Sequence, residues 1–219
     1  MARSSKGTDY QKFLTMDEEK REIIFHAALK EFSAGYKKAT TDNIAFAAGI
    51  SKGLLFHHFG TKENLYRIVL EHSLEIVKKD FYSQVNIDNP DVLDSVWQMA
   101  IIKHKLSVCH PAIFDFLAAA YFDEAIKNEV CGDLLTSFKE LAAKTTADIY
   151  ENADRSLLRD DIDPKKTIDI IYWVVAGYAG AKEQDASRST SVSSIRDNYD
   201  SFLKEYEAYL DILRKCFYK

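Results

Sequence analysis

The side chains best suited to chemistry in this sequence are cations and imidazoles in a segment without carboxylates. Between Asp42 and Glu63 the chain has no acidic residue. The cationic and imidazole side chains of that window are Lys52, His57, His58 and Lys62. A surface that binds phosphate groups offers cations, hydroxyl groups and free helix N-termini, and it excludes carboxylates. The segment therefore predicts a nucleic-acid-binding surface; the alternative is a helical pair that lacks acids by chance.

Two short apolar runs in the same segment predict the elements that hold these side chains. The runs IAFAA and GLLFHHF are separated by Gly49-Ile50-Ser51. Gly49 can adopt the left-handed conformation that ends a helix, and Ser51 can cap the free N–H groups of the next helix. Thr40 or Thr41 can cap the first helix in the same way. Helices of about two turns, joined by about three residues, have the proportions of a helix-turn-helix.

The region from about residue 21 to residue 70 resembles the DNA-binding domain of the TetR family of bacterial transcriptional regulators. The matching positions are Ile24, Ala27, Ala28 and Phe32, then Thr40-Thr41 and Ile44-Ala45, then Ala48 to Gly53, His58-Phe59 and Lys62 to Leu65. The pair Gly35-Tyr36 comes one place earlier than is commonest in the family, which affects the expected loop and leaves the motif intact. Beyond Leu70 only the length and the helical pattern are similar to the family.

The resemblance implies that the second helix of the motif enters the major groove of DNA. The residues expected to contact DNA are Thr41, Ser51, Lys52, Gly53, Leu54, Phe56, His57, His58 and Lys62. Lys52 is expected to contact a phosphate or a guanine edge, and Gly53 to let the helix approach DNA closely. Phe56 stands where the family very often has tyrosine, so we expect apolar contact with a thymine methyl group or a sugar. Leu55 and Phe59 are expected in the core.

Composition predicts an all-α fold, which the family resemblance extends to about nine helices. The sequence has 3 prolines, 8 glycines and hardly any alternating β-branched runs. We expect a flexible arm over residues 1–16, a three-helix helix-turn-helix domain over 17–72 with its motif at 41–60, and a larger helical effector-binding and dimerisation domain over 73–219. Residues 1–72 carry 11 Lys and Arg against 9 Asp and Glu, and the remainder 18 against 25. This imbalance fits a protein that contacts nucleic acid at one end.

The last two predicted helices are similar in position to the pair that forms the four-helix dimer interface of TetR-type regulators. The residues expected at this interface are Tyr172, Ala176, Gly180, Phe202, Tyr206, Leu210, Leu213 and Phe217. The alternative is that both helices simply cover the core of a monomer. We favour a homodimer, because a short reading helix gains affinity and specificity when two copies bind the half-sites of a palindromic operator.

The resemblance also implies that the C-terminal domain binds a small effector, and the aromatic content favours a hydrophobic or aromatic one. The candidate pocket residues are Trp97, Met99, His104, Phe114, Phe116, Tyr121, Phe122, Phe138 and Trp173. The alternative for each of them is a core position, since aromatic residues at helical spacing are more often core. An effector would shift the spacing of the two reading heads, which requires different affinities for the two states.

Motifs of several enzyme classes are missing from the sequence. It contains no phosphate-binding glycine loop, no HExxH and no CxxC pair. Cys109, Cys131 and Cys216 lie far apart, which fits free thiols in a reducing cytoplasm. No apolar run is long enough to span a bilayer. We therefore expect a cytoplasmic, ligand-responsive repressor without catalytic activity, metal or cofactor. The alternatives are a helical protein-interaction module, an activator, and a DNA-binding factor that needs no effector.

Overall fold

The computed structural model describes residues 3–123, 126, 130–188 and 199–219. Within these ranges the chain forms ten α-helices and two short 3-10 helices, Tyr82–Gln84 and Arg155–Leu157, without a β-strand. The α-helices are α1 (Arg3–Leu14), α2 (Glu18–Ser33), α3 (Thr41–Ala47), α4 (Lys52–Phe59), α5 (Lys62–Asp80), α6 (Val92–Cys109), α7 (Pro111–Phe122), α8 (Gly132–Glu151), α9 (Pro164–Arg188) and α10 (Tyr199–Phe217). The all-α prediction is confirmed. None of these helices combines the length and apolarity needed to cross a bilayer.

The chain divides into two compact units that each contain more than one stretch of sequence. The first unit contains Met1–Lys78 and His110–Phe138, and the second contains Lys79–Cys109 and Lys139–Lys219. Helix α7 therefore belongs with the N-terminal helices, although it follows α6 in the chain. These structural units differ in range from the functional domains expected at 17–72 and 73–219.

Three aromatic rings join α2, α5 and α7 in the core of the first unit. The ring centroids of Phe32 and Tyr66 are 4.8 Å apart, and Phe116 lies 5.2 Å from Tyr66 and 6.4 Å from Phe32. All three side chains are at most 2% exposed. Phe32 reaches this core because it continues the predicted stripe of Ile24 and Ala28 along one face of α2, and that stripe is buried. Phe116, which the sequence suggested for the effector pocket, is therefore a core residue.

The N-terminal residues form helix α1, where the sequence suggested a frayed arm over residues 1–16. Tyr10 and Phe13 of α1 are buried. The Phe13 ring lies 6.2 Å from the Phe59 ring and 5.2 Å from the His72 ring, and the Tyr10 hydroxyl lies 3.1 Å from Nδ1 of His72. Helix α1 has no long apolar stripe, and it is held instead by the contacts of Tyr10 and Phe13 with α4 and α5. The local sequence does not reveal these contacts.

The second unit has its core between α6, α9 and α10. Val96, Ile171, Tyr206, Leu210 and Leu213 are among its buried residues. The stripe predicted on the last helix is therefore a buried face, and its three buried members were expected to contact a partner chain. They pack in the core because the apolar face of α10 lies against α6.

Charged groups close one end of this core. Arg214 of α10 contacts Asp91 and Asp94 at 2.7 Å each, and the Tyr218 hydroxyl donates to Asp91 over 2.9 Å. Burial alone would raise the pKa of Asp91, but the hydrogen bonds from Arg214 and Tyr218 outweigh burial and hold that pKa below its ordinary value. Asp91 also accepts hydrogen bonds from the N–H groups of Leu93 and Asp94, and it thereby caps α6.

Replacing Phe13 tests whether α1 is an integral part of the first unit. Phe13→Ala should lower the free energy of unfolding by about 3 kcal/mol, because it removes a buried aromatic ring. Leu14→Ala is the matched control, since Leu14 is 37% exposed, and it should change stability by less than about 1 kcal/mol. Urea unfolding measures both values. Equal, small effects of the two substitutions would show that α1 does not contribute to the folded core.

Candidate nucleic-acid interface

Helix α3 begins at a cap that side chains from two helices complete. The Thr40 hydroxyl accepts a hydrogen bond from the Asn43 N–H over 3.2 Å. Glu31 of α2 accepts from the Thr40 N–H and from the Asn43 side-chain amide, each over 2.9 Å. The predicted threonine cap is therefore Thr40, while Thr41 is the first helical residue. The contacts of Glu31 fix the start of α3 against α2.

The turn between α3 and α4 has the geometry that its sequence predicts. Gly49 has φ of +65°, in the left-handed region. The Gly49 N–H donates to the Phe46 carbonyl and the Ile50 N–H to the Ala45 carbonyl, over 3.1 and 3.0 Å. This is the Schellman arrangement of a helix C-terminus. The Ser51 hydroxyl then accepts from the Leu54 N–H over 3.1 Å and caps α4.

Residues Gly49 to Gly53 also fit the pattern G-x-S-x-G of serine hydrolases, but their structure does not. In those enzymes the serine lies on a strained turn between a strand and a helix, where its hydroxyl is exposed as a nucleophile. Here the turn joins two helices, and the Ser51 hydroxyl accepts a hydrogen bond from the backbone of Leu54. Ser51 is a helix cap at this position.

Helix α4 has one buried face and one face open to solvent. Leu55 and Phe59 are 2% and 3% exposed, as predicted for the core positions. The outward face, opposite these two residues on a helix of 3.6 residues per turn, has Gly53 and His57 at its centre and Leu54 on one side of them. All three are exposed. The core contacts therefore present to solvent the side chains that the sequence suggested for DNA contact.

Lys52 forms an ion pair that the sequence did not suggest. Its Nζ atom lies 2.9 Å from the Asp42 carboxylate and 6.0 Å from the centre of the Phe56 ring. Both charged side chains are more than half exposed, and exposed pairs of this kind contribute about 1 kcal/mol or less. A phosphate group can therefore replace Asp42 as the partner of Lys52 at a small cost.

The other cationic candidates flank the outward face of α4. Lys62, at the first position of α5, lies 4.6 Å from the centre of the Tyr36 ring. The rings of His57 and His58 are 5.4 Å apart. Partial burial, followed by repulsion from His57 and Lys20, lowers the pKa of His58. The His58 imidazole is therefore mostly neutral at pH 7, where it can act as a hydrogen-bonding group and contributes little charge.

Two features of this surface add to the set of residues suggested by the sequence: Phe46, which is not in that set, and the space around Gly53, which is. Phe46, one turn after Asp42 on α3, is 89% exposed. Its position two residues after the buried Ile44 was the available signal, because that spacing turns it away from the buried face. The second feature is the space around Gly53. A Cβ atom there would meet only the Ser51 hydroxyl, at 3.9 Å, an ordinary contact. The packing of the chain itself therefore does not require glycine at this position.

The nine residues suggested for an effector pocket do not lie in one unit. Phe114, Phe116, Tyr121 and Phe138 belong to the first unit, and Trp97, Met99, His104 and Trp173 to the second. The side chain of Phe122 lies outside the described residues. Trp97 packs against Tyr206, with ring centroids 6.4 Å apart, and His104 stacks on Tyr199. Trp173 is 65% exposed on α9. Within the described residues no cluster of His, Cys, Asp and Glu could hold a metal ion.

The residues suggested for the dimer interface all lie in the second unit, and they divide into buried and exposed positions. Tyr206, Leu210 and Leu213 are buried in the core, and Phe202 and Phe217 pack against it. Tyr172 and Ala176 of α9 are exposed, and Gly180 is partly exposed. The outward apolar side chains beside them are Ile170, Trp173, Tyr209 and Ile212, each more than one third exposed.

The capped helix pair, its glycine turn and the acid-free outward face of α4 have the geometry of a helix-turn-helix DNA-binding motif. Residues 24–69 match the family model of the bacterial regulatory proteins of the tetR family. The match covers the helix-turn-helix region and the helices on either side of it, and it does not extend to the rest of the chain.

Solved structures share the fold over nearly the whole chain. A TetR family transcriptional regulator from Chloroflexus aurantiacus J-10-fl is 17% identical, with a TM-score of 0.55, over 95% of this chain and 98% of its own. The ketosteroid transcriptional regulator KstR2 of Mycobacterium tuberculosis is 18% identical, with a TM-score of 0.56, over 94% and 97%. AibR, solved with isovaleryl coenzyme A and operator DNA, is 16% identical, with a TM-score of 0.57, over 83% and 95%. The chain therefore has the fold of these regulators.

Gly53→Ala should separate the stability of the chain from its binding to DNA. Alanine is a better helix former than glycine by about 1 kcal/mol, and the space around Gly53 accepts a methyl group. The variant should therefore unfold at higher urea concentration than the parent chain. If DNA approaches the backbone at Gly53, the same methyl group should weaken DNA binding. Urea unfolding and fluorescence anisotropy on one preparation measure the two effects, and unchanged DNA affinity would contradict close approach at Gly53.

Proposed function

We propose that the chain is a sequence-specific transcriptional regulator that binds a palindromic operator as a homodimer in the cytoplasm and is released by a small effector. The observation that carries this proposal is the outward face of α4, on a helix whose glycine is not required by internal packing. Residues 17–72 would bind DNA, and residues 73–219 would bind the effector and form the dimer. The proposed protein acts by binding and not by catalysis. We favour repression over activation, because a regulator bound to its operator blocks access of other proteins to that DNA.

The contacts with DNA follow from where the hydroxyl groups, N–H groups and cations lie. Helix α4 would enter the major groove through Gly53, Leu54 and His57. Ser51 and Thr41, at the N-termini of α4 and α3, would contact phosphates, because helix N-termini attract anions. Phosphate contacts by Lys52, His58 and Lys62 would fix the orientation of the domain on the duplex. Phe56 lies at the edge of the outward face of α4. It is the last of the predicted DNA-contacting residues, and it would make apolar contact with a thymine methyl group or a sugar.

The dimer is supported by an apolar surface on α9 and α10 that the chain leaves uncovered. Trp173, Tyr209 and Ile212 are 65%, 41% and 56% exposed. On α9, a Cβ atom added to Gly177 or Gly180 would meet no atom within 4 Å. Small residues beside large apolar ones let two helices approach closely, so this surface fits a second copy of the chain. In this proposal Tyr172, Ala176 and Gly180 remain interface residues. The exposed Trp173, Tyr209 and Ile212 take the place of Tyr206, Leu210 and Leu213, which are buried in the core.

An open groove in the second unit, whose lining residue Tyr172 is 45% exposed, supports the proposal of an effector. It has a volume of ≈ 360 Å³ and lies between α8 and α9, within the range typical of ligand sites. Its lining is Ala143, Thr146, Ala147, Tyr150, Ile168, Asp169 and Tyr172. The Tyr150 hydroxyl is buried without a hydrogen-bond partner, so a ligand would hydrogen-bond to it only after a local shift that opens the floor of the groove. The mostly apolar lining suits a small hydrophobic or aromatic effector with one polar group.

The regulatory step follows from linkage. AibR forms a complex with both isovaleryl coenzyme A and operator DNA, so a protein of this fold can combine the two kinds of ligand. An effector of this chain would release the operator only if it bound more tightly to a second conformation of the dimer. In that conformation the two α4 helices would be spaced so that they cannot contact both half-sites at once. The coupling free energies of such systems are typically about 1–3 kcal/mol.

Fluorescence anisotropy with duplex DNA tests the proposed function. The full chain is titrated against its own upstream intergenic DNA and against a scrambled duplex over a series of salt concentrations. Tight, salt-sensitive binding to the first duplex alone is the expected result, and no binding to either duplex at low salt would refute the proposal.

Lys52→Ala should weaken binding by at least about 1 kcal/mol and reduce the salt slope by about one, because a phosphate loses its cation.

Two further variants control for charge. Asp42→Asn removes the carboxylate that competes for Lys52, and it should therefore strengthen binding. Lys166→Ala removes an exposed lysine from the second unit, and it should leave the isotherm unchanged. If Lys52→Ala and Lys166→Ala behave alike, Lys52 does not contact DNA.

Gly177→Leu tests the proposed dimer surface. A bulky side chain at this position should prevent close approach of a second copy, while the space around Gly177 leaves the fold of the single chain undisturbed. Light scattering should give the mass of one chain for Gly177→Leu and twice that mass for the parent. Lys166→Leu is the matched control, because it adds the same side chain at an exposed position of the same helix. A dimeric Gly177→Leu variant would place the interface elsewhere.

A further inference from the structure

The exposed side chains of α4 are mainly apolar or imidazole groups. Leu54 and Phe56 are 39% and 38% exposed, although both are large and hydrophobic. They lie on the two sides of Gly53 and His57 on a helix of 3.6 residues per turn. Two exposed hydrophobic side chains do not by themselves mark an interface, but on the face of α4 proposed to meet DNA they would be covered in the complex.

Helix α4 lacks the side chains that usually read guanine and adenine. Its sequence KGLLFHHF contains no Arg, Asn or Gln, and these residues supply most bidentate contacts to the purine edges. Lys52 is the remaining candidate for a guanine, and its ammonium group lies 2.9 Å from the Asp42 carboxylate. Within α4, hydrogen bonds to the bases can therefore come only from the two histidines and from Lys52. Lys52 must first leave the Asp42 carboxylate.

The C5 methyl group of thymine is the apolar feature that the major groove offers to such a surface. Leucine and phenylalanine that enter the groove lose contact with water, and they recover free energy only against another apolar group. If the backbone approaches DNA closely at Gly53, the two flanking side chains enter the groove on either side of that contact. Sugars also present carbon atoms, but they lie outside the groove, beside the phosphates.

We propose that Leu54 and Phe56 recognise thymine methyl groups, so that each operator half-site contains thymine at the positions under α4. This inference rests on the proposed function, since it specifies the class of DNA sequence that the same surface reads. It also predicts that part of the sequence preference is independent of salt, because methyl contacts release no counterions.

Replacing thymine by deoxyuridine tests the inference, since this change removes only the methyl group and leaves the hydrogen-bond pattern of the base pair. The full chain is first used to select binding sequences from a library of random duplexes. The selected duplex is then compared with versions in which individual thymines are replaced. Each substitution under α4 should weaken binding by about fourfold, the effect expected for one buried carbon. Restoring the methyl group as 5-methylcytosine opposite guanine should recover part of the loss.

Variants of the chain identify which side chain reads which methyl group. In Leu54→Ala and Phe56→Ala the ratio of affinities for thymine and deoxyuridine should fall towards one at the position that each residue contacts. His57→Ala is the matched control, because His57 lies on the same outward face and ends in a polar imidazole instead of a hydrocarbon group. It should weaken binding and leave the ratio at both positions unchanged.

The possible results separate the inference from the proposed function. A selected sequence whose affinity is unaffected by deoxyuridine at every position would overturn methyl readout and leave the DNA-binding function intact. A deoxyuridine effect that persists in both alanine variants would also overturn it, because the methyl contacts would then come from other residues. If selection enriches no sequence, the proposed function fails and the inference fails with it.

Discussion

The contact among Phe32, Tyr66 and Phe116 is the constraint on which the geometry of the first unit depends. It joins α2, α5 and α7 through side chains that are almost fully buried. Helix α3 packs on α2, and α4 packs on α3, so the position of the outward face follows from this aromatic core. A surface that reads base edges must be held within a fraction of an ångström, and packing on rigid helices achieves this better than a loop could.

The sequence predicted those features whose partners lie within a few residues. The Thr40 and Ser51 caps and the left-handed Gly49 each depend on a bond that spans three to five residues, and their residue types are restricted by that local geometry. The docking of α1 was not predictable in this way. Its anchor Phe13 contacts Phe59 and His72, and nothing in residues 1–16 indicates partners so distant in the chain.

Helix α10 shows a second limit of reasoning from periodicity. The spacing of Tyr206, Leu210 and Leu213 correctly identified one apolar face, and burial in the chain's own core explains that face completely. A period of 3.6 residues defines a buried face, but it does not distinguish the core of the same chain from a second copy. The outward residues of α9 carry better information about a partner, because Gly177 leaves space that the single chain does not use.

The charge on the proposed DNA-binding surface has a consequence for regulation. Lys52 is already paired with Asp42, and partial burial keeps the pKa of His58 low, so these two residues would add little free positive charge to each DNA-binding domain. Nonspecific electrostatic affinity scales with the number of phosphates neutralised, and one reading head would therefore bind weakly. Two heads at the correct spacing would bind much more tightly through their high effective concentration. An effector that alters this spacing would reduce the gain from the second head, and coupling free energies of about 1–3 kcal/mol correspond to a fall in operator affinity of about 5- to 150-fold.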